Sequence, residues 1–92
     1  MDLPFVNRER PMKVRVQFYA QLRDLANEHE IDVDLAPGST VRDLLEKIYA
    51  LKPPLRVHDK TILVGVGVEF VDRDYELKSG EEIAIMPPVQ GG

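Results

Sequence analysis

Apolar and polar residues alternate in two stretches of the first third of the chain. In the first stretch the apolar positions are Met12, Val14, Val16 and Phe18. In the second, Ile31, Val33 and Leu35 alternate with two aspartates. A period of two residues is typical of strands that bury one face. Between the stretches, Leu22, Leu25 and Ala26 recur at helical spacing, so the pattern predicts a strand, a short helix and a second strand.

A longer helix is predicted over 41–51. Its apolar stripe consists of Val41, Leu44, Leu45, Ile48 and Leu51. Thr40, followed three residues later by Asp43, has the spacing of a capping pair for the first turn. Pro53 and Pro54 cannot donate to the helix ladder, so we expect the helix to end before them and a polar connection to follow up to Lys60.

The remainder of the chain predicts two or three strands. Residues 61–70 are apolar and β-branched, but Gly65 and Gly67 interrupt them, which indicates a bulge or a close backbone approach. Residues 82–86 form a last strand that places Met86 on the outward face. One long helix available to cover one face of a sheet predicts a two-layer α+β fold.

Size and charge narrow the possible functions. The chain has 92 residues, which allows one domain with a modest core. Its first 11 residues show no buried periodicity and are expected to form a loose arm. With 12 Lys and Arg against 16 Asp and Glu, the net charge is −4, which argues against a nucleic-acid or anionic-membrane binder. Lys13 and Arg15, on the outward face of the first strand, are candidates to pair with acids of a partner.

Several kinds of chemistry are not expected. The chain has no cysteine, which excludes disulfides, thiolate metal sites and a cysteine nucleophile on this chain. His29 and His58 lie far apart in polar segments, so we predict surface histidines and no metal site. No apolar run reaches the length of a membrane helix and the start lacks the order of a secretory signal, so a cytoplasmic location is expected.

The end of the chain carries the candidate chemistry. The last strand is followed by Pro87, Pro88, Val89, Gln90, Gly91 and Gly92. The prolines end sheet pairing and stiffen the exit, so a flexible tail is expected to project from the body. Glycines pass narrow channels and leave a terminal carbonyl open to attack. The Gly92 carboxylate is unreactive until a partner activates it, as in an acyl-adenylate, so this chain is not expected to be catalytic alone.

The sequence resembles a known family in four segments. These are Val14 to Ala26, Val41 to Leu51, Leu77 to Ile83 and Pro87 to Gly92, and together they resemble the MoaD/ThiS sulfur carriers. Within that family they are most similar to the branch that forms the small subunit of molybdopterin synthase. The resemblance implies a β-grasp, ubiquitin-like fold with a mixed sheet, one main helix packed on one face and a Gly-Gly tail. The boundaries expected are an arm over 1–11, a β-grasp domain over 12–86 and the tail over 87–92.

The resemblance also implies a reaction and partners. A ubiquitin-activating-type adenylyltransferase would use ATP to adenylate Gly92, which would then become a thiocarboxylate. The tail would enter the large subunit of molybdopterin synthase and donate its sulfur during molybdenum cofactor synthesis, in a heterotetramer of two small and two large subunits. The carrier itself would bind no cofactor. Tyr19 and Met86 are outward apolar residues, and Phe70 matches a third position that the family uses against partners, so these three form the predicted interface.

Three alternatives stay open from the sequence. One is a ubiquitin-like modifier that forms an isopeptide with lysine, and a second is a sulfur carrier for thiamine or tungsten-cofactor synthesis. The third is a β-grasp interaction module without covalent chemistry. The chain departs from the family at Gly67, where related carriers often have asparagine, and this position is expected to support loop geometry.

Overall fold

A computed structural model describes residues 11–88 of the chain. In chain order the elements are β1 (Met12–Phe18), α1 (Gln21–Ala26), β2 (Glu30–Leu35), α2 (Val41–Leu51), a 3₁₀ helix (Pro53–His58), β3 (Leu63–Val66), β4 (Glu69–Val71) and β5 (Glu82–Met86). Of the predicted arm and tail, residues 1–10 and 89–92 lie outside the described residues. Within 11–88, no helix combines the length and the apolar character needed to cross a bilayer.

The five strands form one mixed sheet in the order β2-β1-β5-β3-β4. β1 runs parallel to β5, whereas the pairs β1–β2, β3–β4 and β3–β5 are antiparallel. A parallel pair needs a long crossover connection. Here the first and last strands within residues 11–88 form it, with all other described elements between them in sequence.

The core lies between α2 and one face of the sheet. The helix contributes Val41, Leu44, Leu45, Ile48 and Tyr49, all buried. The sheet contributes the inward positions of β1 and β5, such as Val14, Val16, Ile83 and Ile85. Each such side chain stabilises the fold by about 1.5–3 kcal/mol relative to an exposed position. The alternation predicted for the strands is therefore confirmed. The opposite sheet face, here called the outward face, is not covered by any helix of residues 11–88.

The predicted capping pair begins α2. The Asp43 carboxylate accepts a hydrogen bond from the Thr40 N–H at 2.9 Å, and the Thr40 hydroxyl accepts one from the Asp43 N–H at 3.4 Å. This reciprocal arrangement satisfies two N–H groups that have no partner within the helix.

Three predicted details of the core were wrong. Leu51 is 54% exposed, and Tyr49, which was not assigned to the stripe, is buried at 2%. The connection after the helix is not simply polar, because the 3₁₀ helix folds back with Leu55 fully buried and covers the Tyr49 side of α2. Leu25 is 36% exposed because α1 has six residues and buries only Leu22 and Ala26.

A hydrogen-bonded cluster fastens this 3₁₀ segment to the helix. The Tyr49 hydroxyl donates to Asp59 Oδ1 at 2.6 Å, and Arg73 donates to the same oxygen at 3.0 Å and to the Asp59 carbonyl. The bond from Tyr49, followed by the contact with Arg73, holds the pKa of Asp59 below its ordinary value, while burial and the Asp59 contact raise the pKa of Tyr49. The cluster joins α2, the segment after the 3₁₀ helix and the loop after β4.

We expect Tyr49→Phe to lower the free energy of unfolding at pH 7 by about 1–2 kcal/mol, because a hydrogen bond to a charged, partly exposed group is lost. The depressed pKa of Asp59 stabilises the wild type above the ordinary carboxyl value of 3.8, and this contribution is lost as the pH falls through the folded-state pKa. The deficit of the variant should therefore shrink between pH 5 and about pH 2. Urea denaturation across this range measures both effects.

The matched control is Tyr19→Phe, which removes a hydroxyl that donates to the neutral side chain of Gln17 at 3.2 Å. Its effect on stability should not change with pH. A Tyr49→Phe deficit of the same size at pH 7 and in acid would contradict the assignment of the linkage to Asp59.

Candidate partner interface and tail exit

The tail leaves the body from a strand inside the sheet. β5 lies between β1 and β3, where Phe18 pairs with Ile85 and Leu63 pairs with Met86. Pro87 and Pro88 follow directly, are half-buried and belong to no strand or helix. The tail thus begins at the sheet end where β1 finishes and β3 starts.

Tyr19 and Met86 flank this exit on neighbouring strands. The Tyr19 N–H donates to the Ile85 carbonyl at 3.1 Å, which continues the β1–β5 pairing one residue past Phe18. The bond from the Tyr19 hydroxyl to Gln17 keeps the ring on the outward face, where it is 46% exposed. Met86 lies on the outward face as predicted, but it is half-buried and therefore less exposed than the pattern of the strand suggested.

The reason is that Met86 leans over a strand position without a side chain. A Cβ placed on Gly65 would lie 3.5 Å from the terminal methyl of Met86 and 3.9 Å from the Ala84 methyl. Gly65 pairs with Ala84 on one side and with Phe70 on the other. The outward face therefore has two small residues side by side, with Phe70 at one end of their row.

These residues enclose a hollow of about 200 Å³, lined by Gly65, Gly67, Val68, Glu69, Phe70, Ala84 and Met86. Phe70 is 64% exposed, and Val68 at the rim is fully exposed. Of the three predicted interface residues, the structure brings Phe70 and Met86 into this one hollow. Tyr19 lies outside it, on the strand beyond β5.

Gly67 forms the turn beside the hollow. Val66 pairs with Glu69, so Gly67 and Val68 are the two loop residues of the β3–β4 hairpin. Gly67 has φ +63°, whereas Val68 is not among the residues with positive φ. A glycine at the first position of a two-residue loop is typical of a type II′ turn. The predicted irregularity at the two glycines is thus a tight turn at Gly67 and a missing side chain at Gly65, and the segment forms two strands.

The outward face is charged over its other half. Arg15 contacts Asp32 at 3.2 Å and Glu30 at 3.7 Å, and Lys13 lies 3.8 Å from Asp34. The hydrogen bond that Arg15 donates to Asp32 raises the pKa of Arg15 further above its ordinary value. These cations pair with β2 within the chain, and pairing with acids of a partner stays a prediction.

Sequence reasoning missed Gly65, Val68, Glu69 and Ala84 as parts of this surface. They become neighbours only through strand pairing. In the sequence, Gly65 and Gly67 indicated an irregular strand but not a binding surface. Among residues 11–88, no group of three or more His, Asp or Glu side chains is placed to hold a metal ion. The tail residues Val89, Gln90, Gly91 and Gly92 lie outside the described residues.

Comparison with known proteins identifies the class of protein. The family model of the ThiS family matches residues 16–92. The chain therefore belongs to the ThiS family. The molybdopterin synthase sulfur carrier subunit of Chlamydomonas reinhardtii is 37% identical over 83 residues, which cover 88% of this chain and 100% of that protein. The subunit of the same name from Drosophila yakuba is 36% identical over 94 residues, covering 99% of this chain and 97% of that protein.

Solved structures agree on the fold. The putative molybdopterin converting factor subunit 1 of Pyrococcus furiosus has a TM-score of 0.78 at 31% identity, over 85% of this chain and 99% of that one. SAMP1 from Haloferax volcanii has a TM-score of 0.77 at 28% identity, over 87% and 99%. A chain from the complex of subunits 1 and 2 of the molybdopterin-converting factor of Helicobacter pylori has a TM-score of 0.62 at 23% identity, over 88% and 100%. The predicted β-grasp, ubiquitin-like fold is confirmed.

Gly67→Ala should lower the free energy of unfolding by about 1–2 kcal/mol, because a Cβ disfavours positive φ. Gly67→Asn should cost less, since asparagine is among the residues that such turns accept. Gly65→Ala is the matched control: its φ is not in the left-handed region and its Cβ would make ordinary contacts. Chemical denaturation measures all three, and equal costs at 65 and 67 would contradict the turn assignment.

Proposed function

We propose that the chain is a sulfur carrier for molybdenum cofactor synthesis, with the Gly92 carboxylate as the group that carries sulfur. The observation that supports this most directly is the placement of the tail. In this chain of the ThiS family, β5 passes through the middle of the sheet and leads directly into Pro87 and Pro88. Gly92 follows Pro88 by four residues. A terminus anchored so firmly at its base can be presented without disturbing the core.

The proposed chemistry takes place at the terminal carboxylate. One carboxylate oxygen of Gly92 attacks the α-phosphorus of ATP, which forms an acyl-adenylate and releases pyrophosphate. Sulfur supplied by the donor at the sulfide level then attacks the acyl carbon and displaces AMP, which gives the thiocarboxylate and releases a proton. Both steps are catalysed by a ubiquitin-activating-type adenylyltransferase and its sulfur source, so the carrier supplies the acyl group and no catalytic side chain.

The proposed recipient is the large subunit of molybdopterin synthase. The relatives from C. reinhardtii and D. yakuba are molybdopterin synthase sulfur carrier subunits, and the H. pylori structure is a complex of subunits 1 and 2. Tyr19, Phe70 and Met86 provide apolar surface next to the tail exit, where a protein that receives the tail must lie. The proposal includes a heterotetramer of two carriers and two large subunits, located in the cytoplasm.

A second candidate is a protein modifier, in which the activated Gly92 forms an isopeptide bond with a lysine. The likeness to SAMP1 of H. volcanii, a small archaeal modifier protein, favours keeping this candidate. The two functions share adenylation and differ in the acceptor, which is sulfur in one case and a lysine amine in the other.

Incubation with ATP, a sulfur source and the adenylyltransferase of the same genome should raise the intact mass by about 16 Da, because sulfur replaces one carboxylate oxygen. Intact-mass spectrometry measures the change. The control is a variant lacking Gly91 and Gly92, which should keep the fold and show no gain. An unchanged mass, with an enzyme shown to be active on another carrier protein, would count against the carrier function. Lysine conjugates in place of the mass gain would favour the modifier.

Tyr19→Ala and Met86→Ala should each weaken binding to the large subunit by about tenfold, as expected for apolar residues at the centre of an interface. Isothermal titration calorimetry measures the affinity. The control is Val57→Ala, which truncates a side chain that is 83% exposed on the 3₁₀ helix. Equal affinities for all three variants and the wild type would show that the partner does not use this face.

A further inference from the structure

The hollow around Gly65 and Ala84 is more than an exposed apolar surface, because it has the size and lining of a receptor for one side chain. We propose that it receives a single large apolar side chain of the partner that takes the tail. The inference rests on the proposed function and adds to it the residues that determine which partner fits.

The volume selects the kind of occupant. At about 200 Å³ the hollow lies below the range of about 300–1,000 Å³ that small-molecule sites occupy. It is open to solvent on the outward face, with the fully exposed Val68 at its rim. A leucine, isoleucine, methionine or phenylalanine side chain on another protein fits such a space.

The position of the hollow selects the partner. Met86 forms one wall, and the next residue is Pro87, where the tail begins. A protein that encloses the tail therefore lies against Met86 and over the neighbouring row formed by Ala84 and Gly65. The hollow continues the surface that the tail requires any recipient to cover.

The chemistry of the lining selects the residue type. The floor consists of Gly65 and Ala84, and the walls include Phe70 and Met86, so an inserted apolar side chain would be removed from water on several sides. Glu69 contributes its backbone carbonyl to the lining, because it pairs with Val66 and its side chain lies on the helix face of the sheet. The occupant is therefore an apolar side chain.

The missing side chain at Gly65 is not required by the backbone. Its φ is not in the left-handed region, and a Cβ there would meet Met86, Glu69 and Ala84 only at 3.5–3.9 Å, which is ordinary contact. Glycine in a strand interior lowers stability by about 0.5–1 kcal/mol relative to alanine. The residue thus costs stability and gives the Met86 side chain, one wall of the hollow, room to lie close to the sheet.

The direct test is nuclear magnetic resonance of the complex with the large-subunit homologue of molybdopterin synthase from the same genome. The carrier is isotope-labelled at the methyl groups of alanine and methionine. The partner is unlabelled and protonated. We expect intermolecular nuclear Overhauser effects from one partner side chain to the Ala84 methyl on the floor and to the Met86 methyl on the wall. The exposed Ala50 methyl on α2 should show none.

Affinity measurements on filled variants provide the second test. Ala84→Leu fills the hollow and should weaken binding by about tenfold or more, and Gly65→Ala should weaken it by about threefold, because overfilled sites reject the same occupant. The control Ala50→Leu adds the same three carbons on the helix side and should leave the affinity within about twofold. Thermal unfolding confirms that each variant folds, and Gly65→Ala provides a folded test even where Ala84→Leu does not.

The outcomes separate this inference from the proposed function. Contacts to Tyr19 and Met86 without contacts to the Ala84 methyl, together with normal binding of Ala84→Leu and Gly65→Ala, would overturn the receptor role of the hollow and leave the interface intact. No contacts to any of these residues in a complex that forms would overturn the interface itself. A gain of mass at Gly92 in the same protein would still support the carrier chemistry.

Discussion

The parallel pairing of β1 with β5 is the constraint on which the other features depend. It joins the first and last described strands in the middle of the sheet, so β2 can pair only on one side of them and β3 and β4 only on the other. It also fixes where the tail begins, because β5 ends beside the last residue of β1. The inward residues of both strands, Val14, Val16, Ile83 and Ile85, carry the centre of the core, so the base of the tail belongs to the most stable part of the fold.

The same pairing divides the outward face into two halves with different physical character. Where β1 meets β2, Arg15 and Lys13 are satisfied by carboxylates of the neighbouring strand, and such exposed pairs contribute little to stability. Where β5 meets β3, small and apolar residues lie on the outward face, where Ala84 and Met86 are half-buried and the neighbouring Phe70 is exposed. The cations of the charged half already pair within the chain, whereas the proposed partner would cover the apolar half.

The sequence predicted those features that depend on local pattern. The alternation in β1 and β2, the Thr40–Asp43 cap and the last strand before Pro87 follow from residues that are neighbours in the chain, and the structure has all of them. Burial of Tyr49 in place of Leu51 was not predictable in this way, because it depends on the direction in which the 3₁₀ helix folds back. The hollow was not predictable either, since Gly65, Ala84 and Phe70 become neighbours only through the register of three strands.

The proposed function requires the outward face to bind a partner specifically and also to release it. In the proposed function the activating enzyme and the recipient would both require Gly92, so the two could not hold the same tail at once and the carrier would have to dissociate from one before it serves the other. A large, fully apolar interface would slow that exchange, because changes in affinity between related complexes appear mainly in the dissociation rate. A compact surface with one receiving hollow concentrates specificity in a few residues and leaves the remaining contact area small. Selection of the recipient and rapid release from it are then compatible on the same few strands.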